Sequence, residues 1–209
     1  FNSSTITLID STHPFSFELL SMLCVNAIKT FDGTVVYVDG GISIDPYDIG
    51  SLAKRSGLRA DDVLSRIMVA RAFTAYQLDS IITDRLQAVI DEYDPVLLII
   101  ACITDLLMDR MVREQEAVTI LRRSLELIGK NTMEHNLITV ITNRLRFPSS
   151  RAAALNEILY KGAGEIIEMR QKKKSIELHL PNRGLTMEYL PLSIYQTTLD
   201  EFIGGTQDG

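Results

Sequence analysis

The feature that most constrains this fold is an unbroken run of six apolar residues at positions 96–101, VLLIIA. A run of that length predicts a strand buried on both faces, and such strands belong to parallel sheets covered by helices. Helical patterns flank the run, over residues 75–93 before it and residues 108–135 after it. The sequence therefore predicts an α/β fold in which this strand lies near the middle of the sheet.

The carboxyl end of this predicted strand carries no residue suited to phosphate chemistry. In nucleotide hydrolases of this layout the strand ends in an aspartate that holds the magnesium–water shell. Here it ends in Ala101 and Cys102, and Asp105 follows only after a helix or loop is expected to have begun. The strand thus reaches the place where a ligand would bind without a metal ligand at its end.

Length and composition favour one intracellular domain. The chain has 209 residues, 46% of them hydrophobic, which is enough for one sizeable core. No apolar run approaches the roughly 18 residues of a membrane span, and the first residues lack a secretory signal pattern. Because the chain begins with Phe1 and not Met, an upstream domain is left open.

The two cysteines, Cys24 and Cys102, lie in apolar segments and match no disulfide or metal-site spacing. We expect both to be small buried residues, as free cysteines usually are. That usage favours a reducing compartment, which would be the cytoplasm or, in a eukaryote, the nucleus.

The N-terminal segment predicts a strand, a loop and a helix in that order. Residues 5–9, TITLI, form the strand, and residues 10–17, DSTHPFSF, contain the loop. The helix is expected over residues 15–31. Its predicted inner face consists of Phe15, Leu19, Leu20, Leu23, Ala27 and Phe31.

A strand–loop–helix opening is where P-loop proteins hold phosphate through the pattern GxxxxGK[ST]. Placed on that pattern, the glycine positions are Asp10 and Phe15, the lysine position is Ser16 and the hydroxyl position is Phe17. An aspartate repels phosphate, and two phenylalanines fill the space that it needs. We therefore expect a loop closed by its own side chains, with His13 at the surface and no bound nucleotide.

The middle of the chain carries an ordered series of short motifs. They are Tyr37-Val38-Asp39, Pro46 after the helix cap Asp45, Gly57-Leu58, Asp62-Val63-Leu64, Ala70-Arg71-Ala72-Phe73, Leu97-Leu98-Ile99-Ile100 and Val140-Ile141-Thr142-Asn143. In order and spacing they resemble the RecA-fold recombinases of the archaeal RadA and eukaryotic recombinase type. The resemblance covers roughly residues 3–192, and residues 193–209 are expected to form a C-terminal segment with a partly disordered tail.

The resemblance implies a RecA-like P-loop NTPase core. In such a core a central, mostly parallel sheet has helices on both faces and a C-terminal antiparallel strand extension. Strand patterns at residues 165–171, 175–180 and 186–190 fit that extension. Active members of the family also carry an N-terminal domain and a linker whose phenylalanine-centred motif docks onto the neighbouring subunit. Nothing here corresponds to them, so we expect no self-assembled, nucleotide-gated filament from this chain alone.

At the catalytic positions of that family, this sequence departs from the pattern. The water-orienting glutamate falls at or beside Gly41, the Walker B aspartate falls at Ala101, and the glutamine after Thr-Asn falls at Arg144. The P-loop positions are degenerate as described above. Because phosphoryl transfer depends on positioning and charge stabilisation, these combined losses predict a paralogue that does not hydrolyse ATP. We expect no catalytic residue, no metal site and no cofactor.

The net charge of −6 is unevenly distributed along the chain. Residues 141–185 contain nine basic and four acidic residues, which gives that segment a charge of +5 and the remainder −11. The resemblance places a DNA-binding loop at residues 143–164, which Pro148 and two serines mark as flexible. The candidate DNA-binding residues there and at the following hairpin tip are Arg144, Arg146, Phe147, Arg151, Lys161, Lys172, Lys173 and Lys174. A mobile loop without a ligand, and a lysine-rich tip that protects a sheet edge, are the alternatives.

The sequence leaves three functional hypotheses. The first is a non-catalytic RadA-like paralogue that assists homologous recombination by binding single-stranded DNA, a RadA-type recombinase, or both. The second is a protein-interaction scaffold of the same fold that does not contact nucleic acid. The third is an enzyme with an unconventional nucleotide site that uses Asp39 or Asp105 for a metal. A homodimer is left open, and no membrane partner is expected.

Overall fold

The structure is a computed structural model that describes residues 1–144, 149–172 and 175–190. Its strands are β1 (Thr5–Asp10), β2 (Val35–Asp39), β3 (Ile67–Arg71), β4 (Leu97–Ala101), β5 (Ile138–Asn143), β6 (Glu165–Gln171), β7 (Ile176–Leu180) and β8 (Leu185–Tyr189). Its α-helices are α1 (Phe15–Phe31), α2 (Pro46–Arg55), α3 (Ala60–Leu64), α4 (Ala75–Ser80), α5 (Leu86–Tyr93), α6 (Glu114–Glu134) and α7 (Ser150–Gly162).

The strands form one sheet in the order β3-β2-β4-β5-β1-β6-β7-β8. The first six are parallel, and β7 and β8 extend the sheet as an antiparallel hairpin. All five residues of β4 are buried, and β4 lies between β2 and β5. The predicted RecA-like α/β architecture is confirmed.

The two faces of the sheet bury different side chains and carry different helices. Val38 and Ile100 belong to one apolar cluster, which also contains side chains of α4, α5, α6 and α7. Tyr37 and Ile99 belong to the other, which contains side chains of α1, α2 and α3. Successive side chains of a strand point to opposite faces of the sheet, and helices cover both faces here. The predicted middle strand is therefore apolar at every position.

Several helix boundaries differ from the sequence prediction. Phe31, expected on the inner face of α1, is the last residue of that helix and is 55% exposed. The helix expected from residue 108 begins at Glu114, since a short 3-10 turn and a bond from the Met111 amide to the Asp109 carboxylate occupy the preceding residues. Between α4 and α5 the helical path passes through a π-helical turn, Ile81–Arg85.

The largest correction concerns the predicted flexible loop at residues 143–164. Residues Ser150–Gly162 form helix α7, and the Ser149 hydroxyl caps it by accepting from the Ala152 amide at 3.1 Å. The stretch that follows is rich in alanine, leucine and other strong helix formers. A serine before such a stretch is a helix start signal, so the loop prediction is wrong for these residues.

Some predicted features lie outside the described residues. These are Arg146, Phe147, Lys173, Lys174, the domain limit at residue 192 and the tail at residues 193–209. Within the described ranges, no helix combines the length and the apolar character that crossing a membrane requires.

Candidate functional site

The carboxyl ends of the parallel strands meet at one edge of the sheet, which is where ligands bind in folds of this class. The four inner parallel strands end here in Asp10 of β1, Asp39 of β2, Ala101 of β4 and Asn143 of β5. We call this the carboxyl edge. Three of its four strand ends carry a polar side chain, and each of these is already bound within the protein.

The loop after β1 is closed by its own groups, as the sequence predicted. The Ser11 hydroxyl accepts from the His13 amide at 3.0 Å, and the His13 Nδ1 accepts from the Phe15 amide at 3.1 Å. The Ser16 hydroxyl and amide both donate to the His13 carbonyl, and the Phe17 amide donates to the Pro14 carbonyl. The first amides of α1, which would have to hold phosphate, are therefore occupied. His13 lies in this loop as expected, although it is part-buried because its ring accepts from the Phe15 amide.

The predicted P-loop side chains fill the space at the start of α1. Phe15 is 5% exposed and stacks on Tyr189 of β8 with ring centroids 4.8 Å apart. Ser16 is buried as well. Phe17 lies beneath the Arg144 guanidinium, whose carbon is 4.9 Å from the ring centroid.

Asp10 belongs to a polar network that connects β1, β5 and α7. Its Oδ1 accepts from Asn143 Nδ2 at 2.9 Å, and its Oδ2 accepts from the Tyr160 hydroxyl at 2.6 Å. Asn143 also accepts from the Thr104 hydroxyl at 2.6 Å and donates to Asn156. Burial is the largest cause of the raised pKa of Asp10, and it also raises the pKa of Tyr160. Both oxygens of this half-buried carboxylate therefore accept a hydrogen bond from within the protein.

Asp39 is fully buried and fixes the loop that follows β2. Its Oδ1 accepts from the Gly41 amide at 3.1 Å, the Ser43 amide at 3.0 Å and the Ser43 hydroxyl at 2.8 Å. Its Oδ2 lies 3.1 Å from an Arg71 nitrogen. With both oxygens engaged in this way, Asp39 has no free oxygen to offer a metal. The described residues contain no group of three or more His, Cys, Asp and Glu side chains that could hold a metal ion.

The end of β4 is closed by apolar contacts. Ala101 and Cys102 are both 0% exposed, and burial raises the pKa of the Cys102 thiol to about 12. A Cβ added to Gly41 would lie 2.6 Å from both the Cβ and the sulfur of Cys102. The position expected for a water-orienting glutamate therefore has no room for a side chain in this arrangement. Cys24 is also buried, so the expected character of both cysteines is confirmed.

The four described candidates for DNA binding are Arg144, Arg151, Lys161 and Lys172. Arg151 and Lys161 both lie on α7, whereas Arg144 follows β5 and Lys172 follows β6. Arg144 lies over Phe17 with its Nε 3.8 Å from the Asp105 carboxylate. Arg151 donates to the backbone carbonyls of Leu107, Asp109 and Val112.

The two lysines each have an acidic partner at 2.5 Å, Glu157 for Lys161 and Glu177 for Lys172. Contact between these side chains and DNA stays a prediction, and for Arg151 it competes with the carbonyl bonds.

Two residues important to this edge were missed at the level of sequence. Asn143 was noted only as part of a motif, although a polar residue at the end of an apolar strand is a signal for a role at the strand edge. Tyr160 lies in the segment predicted to be a loop, so its bond to Asp10 could not be anticipated.

Comparison with known proteins gives one result. A family model described as Rad51 matches residues 18–175, which is well over half of the chain. The matched span contains Gly41, Ala101 and Arg144, whereas the closed loop at residues 10–17 precedes it. No curated protein matches the chain.

Proposed function

Because the chain belongs to the Rad51 family of RecA-fold recombinases, we propose that it assists homologous recombination and DNA repair as a non-catalytic member of that family. It acts by binding single-stranded DNA, a recombinase partner, or both, without hydrolysing ATP. The observation that carries this proposal is the closed carboxyl edge. Every polar strand end there is engaged within the protein, and Ala101 ends the strand from which a metal-binding aspartate would project.

The chemistry of phosphoryl transfer explains why a closed edge argues against hydrolysis. That reaction needs a phosphate cradle, a metal ion and an oriented water, and it has little covalent chemistry for a protein to supply otherwise. Here the amides at the start of α1 are bonded internally, Ala101 cannot bind a metal, and Gly41 lies against Cys102. The phosphate cradle, the metal ligand and the water-orienting group are thus each missing, and the three losses lie at separate places in the sequence.

A titration with magnesium and ATP tests the absence of a nucleotide site. We expect no measurable heat by isothermal titration calorimetry, and no increase in melting temperature at millimolar ATP, since a ligand that binds only the folded state must raise it. A family member that hydrolyses ATP, measured in the same buffer, is the positive control. Saturable binding of magnesium-ATP would reject a closed edge and favour the third hypothesis, an unconventional nucleotide site.

The DNA-binding half of the proposal rests on the charge of the segment at residues 141–185. We expect R144A/R146A/R151A to weaken binding of a labelled single strand in fluorescence anisotropy. The slope of log affinity against log salt should fall by about 0.7 for each phosphate contact that is lost. Arg59→Ala is the matched control, because Arg59 is exposed, pairs with the nearby Asp62 and lies outside residues 141–185.

The variant R151K, added to this experiment, separates the effect of the charge of Arg151 from the effect of its side-chain geometry. R151K keeps the positive charge but loses the planar fork that reaches three carbonyls. If Arg151 contacts phosphate, R151K should bind DNA nearly as well as the parent protein. Unchanged affinity and slope in the triple variant would remove this segment from the proposal.

The scaffold hypothesis is favoured by a separate observation at the other side of the sheet. Within the described residues, β3 is an edge strand, and Val69 on it is 48% exposed. A cavity of about 440 Å³ lies beside it, lined by Val36, Val38, Met68, Ala70, Ile81 and Leu86 among others. An open edge with an adjacent apolar cavity is suited to an extended segment that adds a strand and inserts one side chain. Binding of a recombinase at a salt concentration that abolishes DNA binding would favour the scaffold.

A further inference from the structure

Ile42, in the loop between β2 and α2, combines two unfavourable features. Its φ is +53°, in the left-handed region that L-residues avoid and that is most costly for a β-branched side chain. Its side chain is also 71% exposed, so it gains little from burial within the protein. The other exposed non-glycine residues with positive φ are serine, aspartate or asparagine, which accept this conformation more readily.

The loop around Ile42 is rigid, so the strain is built into the fold. Asp39 binds the amides on either side, those of Gly41 and Ser43, and also the Ser43 hydroxyl. That hydroxyl lies 2.8 Å from the hydroxyl of the buried Tyr37. Gly41 lies so close to Cys102 that an added Cβ would come within 2.6 Å of the cysteine Cβ and sulfur. The loop therefore holds the Ile42 backbone in a disfavoured conformation while the side chain is exposed to water.

The charges beside Ile42 indicate what kind of molecule could cover it. Residues 40–52 contain Asp45 and Asp48 and no basic residue. Glu18 of α1 lies close enough for the charge of Asp48 to contribute, after burial, to its raised pKa. Two cations in this region have acidic neighbours. Arg71 binds Asp39, and Arg55 lies close enough to Glu18 for its charge to act against the raised pKa of that carboxyl. A phosphate backbone would be repelled here, whereas a basic protein surface would be attracted.

We propose that Ile42 is the apolar anchor of a protein-docking surface formed by Ile42, the 85% exposed Tyr47 and Asp48. The occupant is the recombinase partner of the proposed function, which would offer an apolar socket edged by lysine or arginine. The inference therefore rests on that function. Burial of Ile42 in the complex offsets the cost that the free protein bears, as expected when backbone strain is kept at a binding site.

The position of this surface in the fold supports the same partner. The bond between Asp39 and Arg71 joins the Ile42 loop to the end of β3, the edge strand beside the apolar cavity. One partner could therefore contact the β3 edge and the Ile42 surface together. Each contact would then raise the effective concentration of the other.

The test compares Ile42→Asn and Ile42→Val with the parent protein. Asparagine accepts a positive φ but removes the apolar anchor, so I42N should melt about 2–4 °C higher and bind the recombinase at least tenfold more weakly. Valine keeps the strain and most of the apolar area, so I42V should change neither property appreciably. Binding is measured by calorimetry with the Rad51-family recombinase of the same organism at about 0.15 M salt.

Met133→Ala is the control for position, since Met133 is 70% exposed but lies at the end of α6. It should leave the affinity unchanged. Equal affinity of I42N and the parent protein would reject the Ile42 surface and leave the proposed function intact. A lower melting temperature for I42N would contradict the strain argument. No binding of the recombinase by the parent protein would reject the inference together with the partner half of the proposed function.

Discussion

Replacing Gly41 by glutamate is expected to destabilise the protein by about 3 kcal/mol or more, not to restore a catalytic residue. Overpacking by even a few methylene groups typically costs about 1–3 kcal/mol, and a glutamate adds a longer chain and a charge. The Cβ alone would come within 2.6 Å of the Cβ and sulfur of Cys102, so the loop or the end of β4 must move. Urea unfolding followed by circular dichroism measures the loss, and ATP hydrolysis should stay at background.

A double-mutant cycle shows whether the contact with Cys102 is the cause. Gly41→Ala introduces only the clashing Cβ, and we expect it to cost about 1–3 kcal/mol. Cys102→Gly removes the opposing side chain at a residue whose φ is +56°, a conformation that glycine adopts freely. If the two positions clash directly, Gly41→Ala should lower the free energy of unfolding by at least about 1 kcal/mol less in the Cys102→Gly background than in the parent protein. Additive costs would mean that the space at Gly41 is limited by something else.

The parts of the fold that the sequence predicted are those that local patterns specify. The apolar run gave a fully buried β4, because burial on both faces requires apolar residues at every position. Asp45 and Pro46 predicted the start of α2, where the aspartate accepts from the Tyr47 amide at 2.8 Å. A cap and a proline act within one turn of the chain, so they can be recognised without knowing the fold.

The parts that were missed depend on contacts between distant residues or on one ambiguous signal. Arg151 is chemically suited to phosphate, and nothing in its type reveals that it binds three carbonyls about 40 residues earlier. The bond between Tyr160 and Asp10 spans 150 positions. Ser149 was interpreted as a loop residue, although serine is common both in loops and at helix starts. The charge pattern therefore identified basic side chains that could contact DNA. It did not show which of them bind other groups of the folded protein.

A carboxylate introduced at Ala101 is expected to give the second large effect. Ala101→Asp should cost about 3–5 kcal/mol at neutral pH, because Ala101 is 0% exposed and a carboxylate there would be buried without a cation. The neighbouring Asp39 is already fully bound and would add repulsion. That cost is a large part of the roughly 5–15 kcal/mol by which folded proteins are stable.

The pH dependence of this loss distinguishes a buried charge from simple overpacking. Burial should raise the pKa of the introduced carboxyl above its ordinary value of about 3.9, so the charged form is penalised only when the pH exceeds that value. The difference in unfolding free energy between A101D and the parent protein should therefore shrink as the pH falls from 7 to 4. Ala101→Asn, which has the size of aspartate but no charge, should cost less and show no such pH dependence. If A101D instead folds normally and binds magnesium-ATP, the carboxyl edge is open and the protein is an ATPase that has lost a single ligand, which would overturn the proposed function.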